Sequence, residues 1–260
     1  MKKVLLILLI CNLTYSVWLH SLPNTDTAFH YLYNISSSLS FAIATITSFS
    51  LAFSCKPHRF FHITLGLGSL SYFSAQLMWA YYNLILQVNI PYPGLSDILF
   101  LIFYFFVIIA GISIMKNSIH VKFNLVTILE ILLITFIIFV IISSFINSIS
   151  PLANESLLIQ ILGYTYPLFD SLLVVLALSA VRSEYGRVHP LLLYFMFGFL
   201  ILAFADIIFT YQQALDTYWN GNTADILFTI FGFLFGMGVV ELPKILHAQD
   251  RNLSPHQFIS

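Results

Sequence analysis

Asp97-Ile98-Leu99-Phe100-Leu101-Ile102-Phe103-Tyr104-Phe105-Phe106-Val107-Ile108-Ile109-Ala110-Gly111-Ile112-Ser113-Ile114-Met115-Lys116 opens on an acid, closes on a base and carries no other charge. The Lys follows the Asp by nineteen residues (97 and 116), close to the ~20 that cross a hydrocarbon core as α-helix. Similar runs occupy 4–22, 31–54, 61–86, 123–147, 156–181, 191–212 and 225–246. The sequence therefore predicts an all-α, polytopic membrane protein of eight transmembrane helices. Composition agrees, because 59% apolar residues, 8% charged residues and a mean hydropathy of +0.92 exclude an ordinary soluble domain.

Charge placement gives the orientation. Lys2 and Lys3 precede the first run, Lys56 and Arg59 follow the second, Lys116 and Lys122 the fourth, Arg182 and Arg187 the sixth, and Lys244 and Arg251 the last. Between the other runs there is no Lys or Arg. Cytoplasmic loops retain positive charge, so both termini are expected to be cytoplasmic. The external turns are short and rich in Pro, Asn and Gly: Leu22-Pro23-Asn24, Asn89-Ile90-Pro91-Tyr92-Pro93-Gly94, Ser150-Pro151 and Trp219-Asn220-Gly221-Asn222. A single transmembrane domain over 1–246 and a short cytoplasmic tail over 247–260 follow, with no room for a soluble output module. Net charge of -1 gives no reason to expect nucleic acid. The basic residues come in pairs, too sparse for a lipid-headgroup patch. Cys11 and Cys55 fall in a span and at a cytoplasmic edge, so no disulfide is expected. Ile10 is too bulky to precede a lipid-modified Cys, and the first run is read as a retained span.

Helices three and four repeat in helices seven and eight, 61–115 over 191–246. Ala75-Gln76-Leu77-Met78-Trp79-Ala80-Tyr81 aligns with Ala205-Asp206-Ile207-Ile208-Phe209-Thr210-Tyr211, and Asp97-Ile98-Leu99-Phe100 with Asp225-Ile226-Leu227-Phe228. Helices four apart in an up-and-down chain run the same way. The expected arrangement is two parallel four-helix halves about an axis near the membrane normal, unlike the inverted repeats of many transporters.

Ionisable groups in hydrocarbon are costly, and they pair or serve a function. At about 1.5 Å per residue, Asp97 and Asp225 fall at the external helix ends, Gln76 and Asp206 about two-thirds of the way across, and Asp170 near mid-depth. Asp97 and Asp225 follow Ser96 and Ala224 in a first helical turn, where an acid meets the helix dipole and can cap; ligand contact is the other reading. Asp170 sits three residues after the mid-span Pro167, and with Asp206 it is either interhelical glue or a ligand or proton site. Glu130 is expected to pack with Thr127 or a neighbouring helix, and Glu241 to stand at the cytoplasmic edge beside Lys244. Trp79, Tyr81, Tyr82, Tyr92, Tyr164, Tyr166, Tyr211, Tyr218 and Trp219 form either an interfacial belt or, for Trp79, Tyr81 and Tyr211, which follow Gln76 and Asp206 at helical spacing, part of a pocket lining. Carboxylates among aromatics suit a cationic or amphipathic small ligand.

Catalytic signatures are weak. His58 and His62 lie four apart with no third ligand in reach, so no metal is expected. No phosphate-binding loop or nucleophile elbow is present, and no Lys lies within a span to hold a retinal-type chromophore, so no cofactor is expected.

Trp79 with Tyr82, Pro91-Tyr92-Pro93-Gly94-Leu95-Ser96-Asp97, Tyr166-Pro167 with Asp170, Ala205-Asp206 and Asp225-Ile226-Leu227-Phe228 resemble, in order and spacing, the multi-helix membrane region upstream of bacterial diguanylate cyclase and phosphodiesterase (GGDEF/EAL) domains. The likeness runs from about Phe61 to Val240, with Gln76 where that family often has an acid. It implies a sensory role in the inner membrane, acting through a signalling partner. The reading that results is a ligand-binding or sensory module in the lipid bilayer, with Gln76, Trp79, Asp97, Tyr166, Asp170, Asp206, Tyr211 and Asp225 around an outer-half cavity. The alternatives are a small proton-coupled transporter and a membrane enzyme using carboxylates.

Overall fold

The structure is a computed structural model in which residues 1–22, 27–88, 90–117, 124–149, 155–183 and 190–253 are described. Among them there are helices and turns and no strands. The helices are α1 (Lys2–Leu19), α2 (Ala28–Ser54), α3 (Arg59–Ala80), α4 (Leu95–Asn117), α5 (Leu125–Ile149), α6 (Leu157–Ser183), α7 (Pro190–Ala214) and α8 (Thr223–Leu253). A 3-10 turn, Lys56–His58, leads into α3, and a π-helical turn, Tyr81–Leu86, continues it. Seven of the helices are long and apolar enough to cross a membrane. This is a multi-pass helical membrane protein. The third expected span is the exception: α3 carries His62, Gly66, Gly68, Ser69, Ser71 and Gln76, which dilute its apolar character, and its last stretch is the π-turn.

Hydrocarbon offers no partner for a peptide group, so each spanning segment must close its hydrogen bonds internally as helix. What remains is which faces meet. Side by side, α2, α3, α4, α6, α7 and α8 close a ring; α1 lies outside it against α2 and α8, and α5 outside it against α6 and α7. The chain turns from α7 to α8 at the same end as the start of α2, since Asn34 donates to Asn220 at 2.6 Å and Ser16 to the Gly221 carbonyl at 2.7 Å, and the end of α3 joins them there, with Trp79 6.1 Å from Tyr218 between ring centroids. At the opposite end Lys2 pairs with Glu241, and Arg182 with Glu130. For Glu130 the neighbouring helix supplies the partner and not Thr127, which bonds Asn124 at the α5 N-terminus. Lys122, Arg187, Pro23, Asn24, Asn89 and Pro151 lie outside the described residues, as do the side chains of Lys244 and Arg251. Cys11 and Cys55 are unpaired thiols.

Helices in lipid associate through close packing at small residues. A Cβ on Gly68 would stand 3.1 Å from Val107 and 3.4 Å from the Phe103 carbonyl, and one on Gly198 would stand 3.7 Å from Phe231 and 3.8 Å from the Phe235 backbone. Gly68 and Gly198 are 130 residues apart, as are Gln76 and Asp206; Phe103 and Phe231, like Val107 and Phe235, are 128 apart. The α3–α4 crossing thus uses the same positions as the α7–α8 crossing. Equivalent residues also touch each other through the middle of the ring: Phe103 meets Phe231 at 5.9 Å between ring centroids, and Trp79 meets Phe209 at 5.9 Å.

Candidate functional site

The first turns of α4 and α8 are built alike. The Asp97 carboxylate accepts the Gly94 amide at 2.8 Å, and the Asp225 carboxylate accepts the Gly221 amide at 2.6 Å, so each acid satisfies an amide at a helix entry. Gly94 has no room for a side chain, because a Cβ would lie 2.5 Å from the Pro91 carbonyl; Gly221 sits at φ +95, where L-residues are strained. Each acid also takes a phenol: Tyr166 of α6 donates to Asp97 at 3.3 Å, and Tyr218 reaches Asp225 at 3.2 Å. Burial, followed by the nearby Asp225 charge, pushes the Tyr218 phenol well above its ordinary range. Burial and then Asp97 and Glu155 push Tyr92 up to about 12.

Deeper in the ring the polar groups converge on one hydroxyl. Tyr104 of α4 lies 2.6 Å from an Asp170 oxygen on α6 and 3.0 Å from an Asp206 oxygen on α7. Asp170 is buried and Asp206 half-buried, and the two carboxyls meet at this one hydroxyl. Tyr104 is two turns along α4 from Asp97, and Tyr166 one turn before Asp170 on α6. Two Tyr–Asp pairs therefore cross the α4–α6 seam in opposite directions, one above the other. The Asp170 carboxylate is engaged by Tyr104, and one residue on, Ser171 donates to the Pro167 carbonyl at 2.6 Å.

One turn outward from Asp206 the aromatics gather. Trp79 of α3 packs edge-on against Phe209 of α7, and Tyr218 packs against Phe209 at 4.8 Å and Trp79 at 6.1 Å. The Trp79 indole N–H, the Asn83 amide nitrogen and the Gln212 amide oxygen are buried here without a hydrogen-bond partner. The Tyr72 phenol lies within electrostatic reach of Asp206, Asp225 and Asp170, and Gln76 is four residues further along α3.

Of the eight residues singled out from sequence, Asp170 and Asp206 are brought together, Asp97 meets Tyr166, and Asp225, Gln76 and Trp79 stand around them. Tyr211 is the correction. It is 46% exposed, and its repeat counterpart Tyr81 is 43% exposed. Five residues past Asp206 or Gln76 is about 140° around a helix, onto the outer face, whereas Trp79, three past Gln76, stays on the inner one. Tyr104 was missed within an aromatic run; its signal was the seven-residue spacing from Asp97. No group of His, Cys, Asp and Glu among the described residues could hold a metal ion. Comparison with family models, curated proteins and solved structures returns no match.

Proposed function

We propose that this chain is an inner-membrane sensory module of eight spans in two parallel four-helix halves, with both termini cytoplasmic, that binds a small cationic or amphipathic ligand near Asp170 and Asp206. The single observation that carries the reading is the Tyr104 hub: three helices donate one phenol and two carboxyls to one point. Packing glue needs only one such pair, and model measurements put interhelical hydrogen bonds in membranes at only about 0.6–2 kcal/mol. The aromatic cluster of Trp79, Phe209 and Tyr218 one turn outward supplies faces for a cation, and the unpartnered Trp79, Asn83 and Gln212 atoms supply polar contacts. The resemblance to regions upstream of GGDEF/EAL domains supports sensing through a partner.

The two-half arrangement is supported by packing: α1 against α2 matches α5 against α6, α2–α3 matches α6–α7, α3–α4 matches α7–α8, and α2–α8 matches α6–α4. The orientation rests on the alternate placement of Lys and Arg. A reporter fused after Arg251 is expected to be cytoplasmic and one inserted at Asn220 external; the reverse result at Asn220 overturns the orientation.

Purified protein in detergent, titrated with choline and phenethylammonium while thermal unfolding is followed, tests the site. A ligand at 100 times its Kd raises stability by ~2.7 kcal/mol. The wild type is expected to gain stability with one of these probes, and Asp170→Asn and Asp206→Asn to unfold near the wild-type Tm without gaining it. If both variants simply lose Tm and the probes shift nothing, the cluster is structural.

A further inference from the structure

Resting on that reading and deepening it, we infer that Tyr104, Asp170 and Asp206 form a proton-binding site in which two carboxyl groups hold one exchangeable acid proton. The argument is one of counting. A phenol owns a single proton and donates once. Its oxygen lies 2.6 Å from one Asp170 oxygen and 3.0 Å from one Asp206 oxygen. It can donate to only one of them, so the other contact closes only if that carboxyl carries a proton and donates to the phenol oxygen. The phenol brings one proton and a carboxyl the other. Two ionised carboxylates converging on one hydroxyl would repel, the situation that makes paired acids share a proton.

Among the described residues, neither ion pair involves Asp170 or Asp206. Lys116 on α4 and Arg182 on α6 are each twelve residues further along, about 18 Å of helix, and Arg182 is engaged with Glu130 of α5. The titratable groups that do face the cluster are Tyr72 of α3, Tyr166 of α6, Asp97 at the head of α4 and Asp225 at the head of α8, all acids or phenols. None brings positive charge. The stacked Tyr166–Asp97 pair lies between the cluster and the α3–α4 turn, with the Tyr104 and Tyr166 rings 6.1 Å apart, so the polar groups that lead away from the shared proton lead toward that end.

Infrared spectroscopy of the full-length protein in lipid, at neutral pH and compared between H2O and D2O, reads the proton directly. The wild type is expected to show the C=O stretch of a protonated carboxylic acid, shifted on deuteration. The Asp170→Asn/Asp206→Asn double variant is expected to lose that band, Tyr104→Phe to keep it at a shifted frequency, and Asp97→Asn to keep it unshifted. A wild type with no acid band overturns the inference, as does a band that survives the double variant or disappears in Asp97→Asn. If the double variant does not fold, the Tyr104→Phe shift decides: an unmoved band places the proton elsewhere. A protein that shows the band but gains no stability from either ammonium probe keeps the proton site and loses the ligand reading; the opposite pair of results does the reverse.

Discussion

On one side of the ring, α4, α6 and α7 place Tyr104 against Asp170 and Asp206; on the other, α8, α2 and α3 place Gly232, Phe41 and Gln76 at matching locations. Position 232 stands to 104 as Phe231 stands to Phe103, and Gln76 to Asp206 as Ala75 to Ala205. Where the first side has a phenol, the second has no side chain at all, and the space is taken by Phe41, stacked on Tyr72 at 4.0 Å and packed against Phe231 and Phe235. The two regions share a frame and differ in what fills it. At the positions of Tyr104 and Asp206 the aromatic side closes with Gly232 and Gln76, and no carboxylate stands at either of them.

That contrast can be broken by exchanging the fillings. The largest effect is expected from Gly232→Tyr, which copies Tyr104 into the aromatic side: even a Cβ there would lie 2.5 Å from the Ser40 hydroxyl and 2.9 Å from the Phe41 ring. Loss of monodisperse protein on size exclusion is expected, and a variant that purifies with the wild-type Tm would show the two sides to be interchangeable. Next is Phe41→Ala, which empties a ring only 1% exposed and should cost about 3–5 kcal/mol in reversible unfolding while leaving probe binding at Asp206 unchanged. A smaller difference separates the two helix entries. Asp225→Ala should destabilise by about 1–3 kcal/mol, because the acid is buried and leaves the Gly221 amide unpaired. Asp97→Ala should lose about 1 kcal/mol, being half-buried with a longer bond to its amide. Equal losses would remove the distinction. Tyr211→Ala and Tyr81→Ala should be the mildest, within about 0.5 kcal/mol, as both point outward; a loss of probe binding in Tyr211→Ala would return that residue to the site.

Much of this was readable without coordinates, and the reason is the bilayer. Hydrocarbon forces apolar runs of a fixed length, so 97–116 and its fellows announce themselves, and any Asp or Gln inside such a run stands out against Leu and Phe. That is how Asp170, Asp206 and Gln76 were found. Tyr104 stands out against nothing, since a phenol in an aromatic run differs from Phe by one atom; only the partner helices reveal what the hydroxyl meets. Gly232 is silent for the opposite reason, its meaning being the Phe41 ring that fills its place. The particular partners of Glu130 and Glu241 were not legible, because sequence shows neighbours along the chain while Arg182 and Lys2 arrive from other helices. The π-turn after Ala80 has no polar mark either.

The contact of Trp79 with Phe209 carries a further consequence. Two positions equivalent under the 130-residue offset lie face to face, so the space they fill belongs to both at once. A close-packed interior fixes the summed volume of the two rings, so a larger side chain on one helix calls for a smaller one on the other. Neither position is then free to change alone. A reciprocal exchange, Trp79→Phe with Phe209→Trp, keeps that sum and carries the indole N–H from α3 to α7.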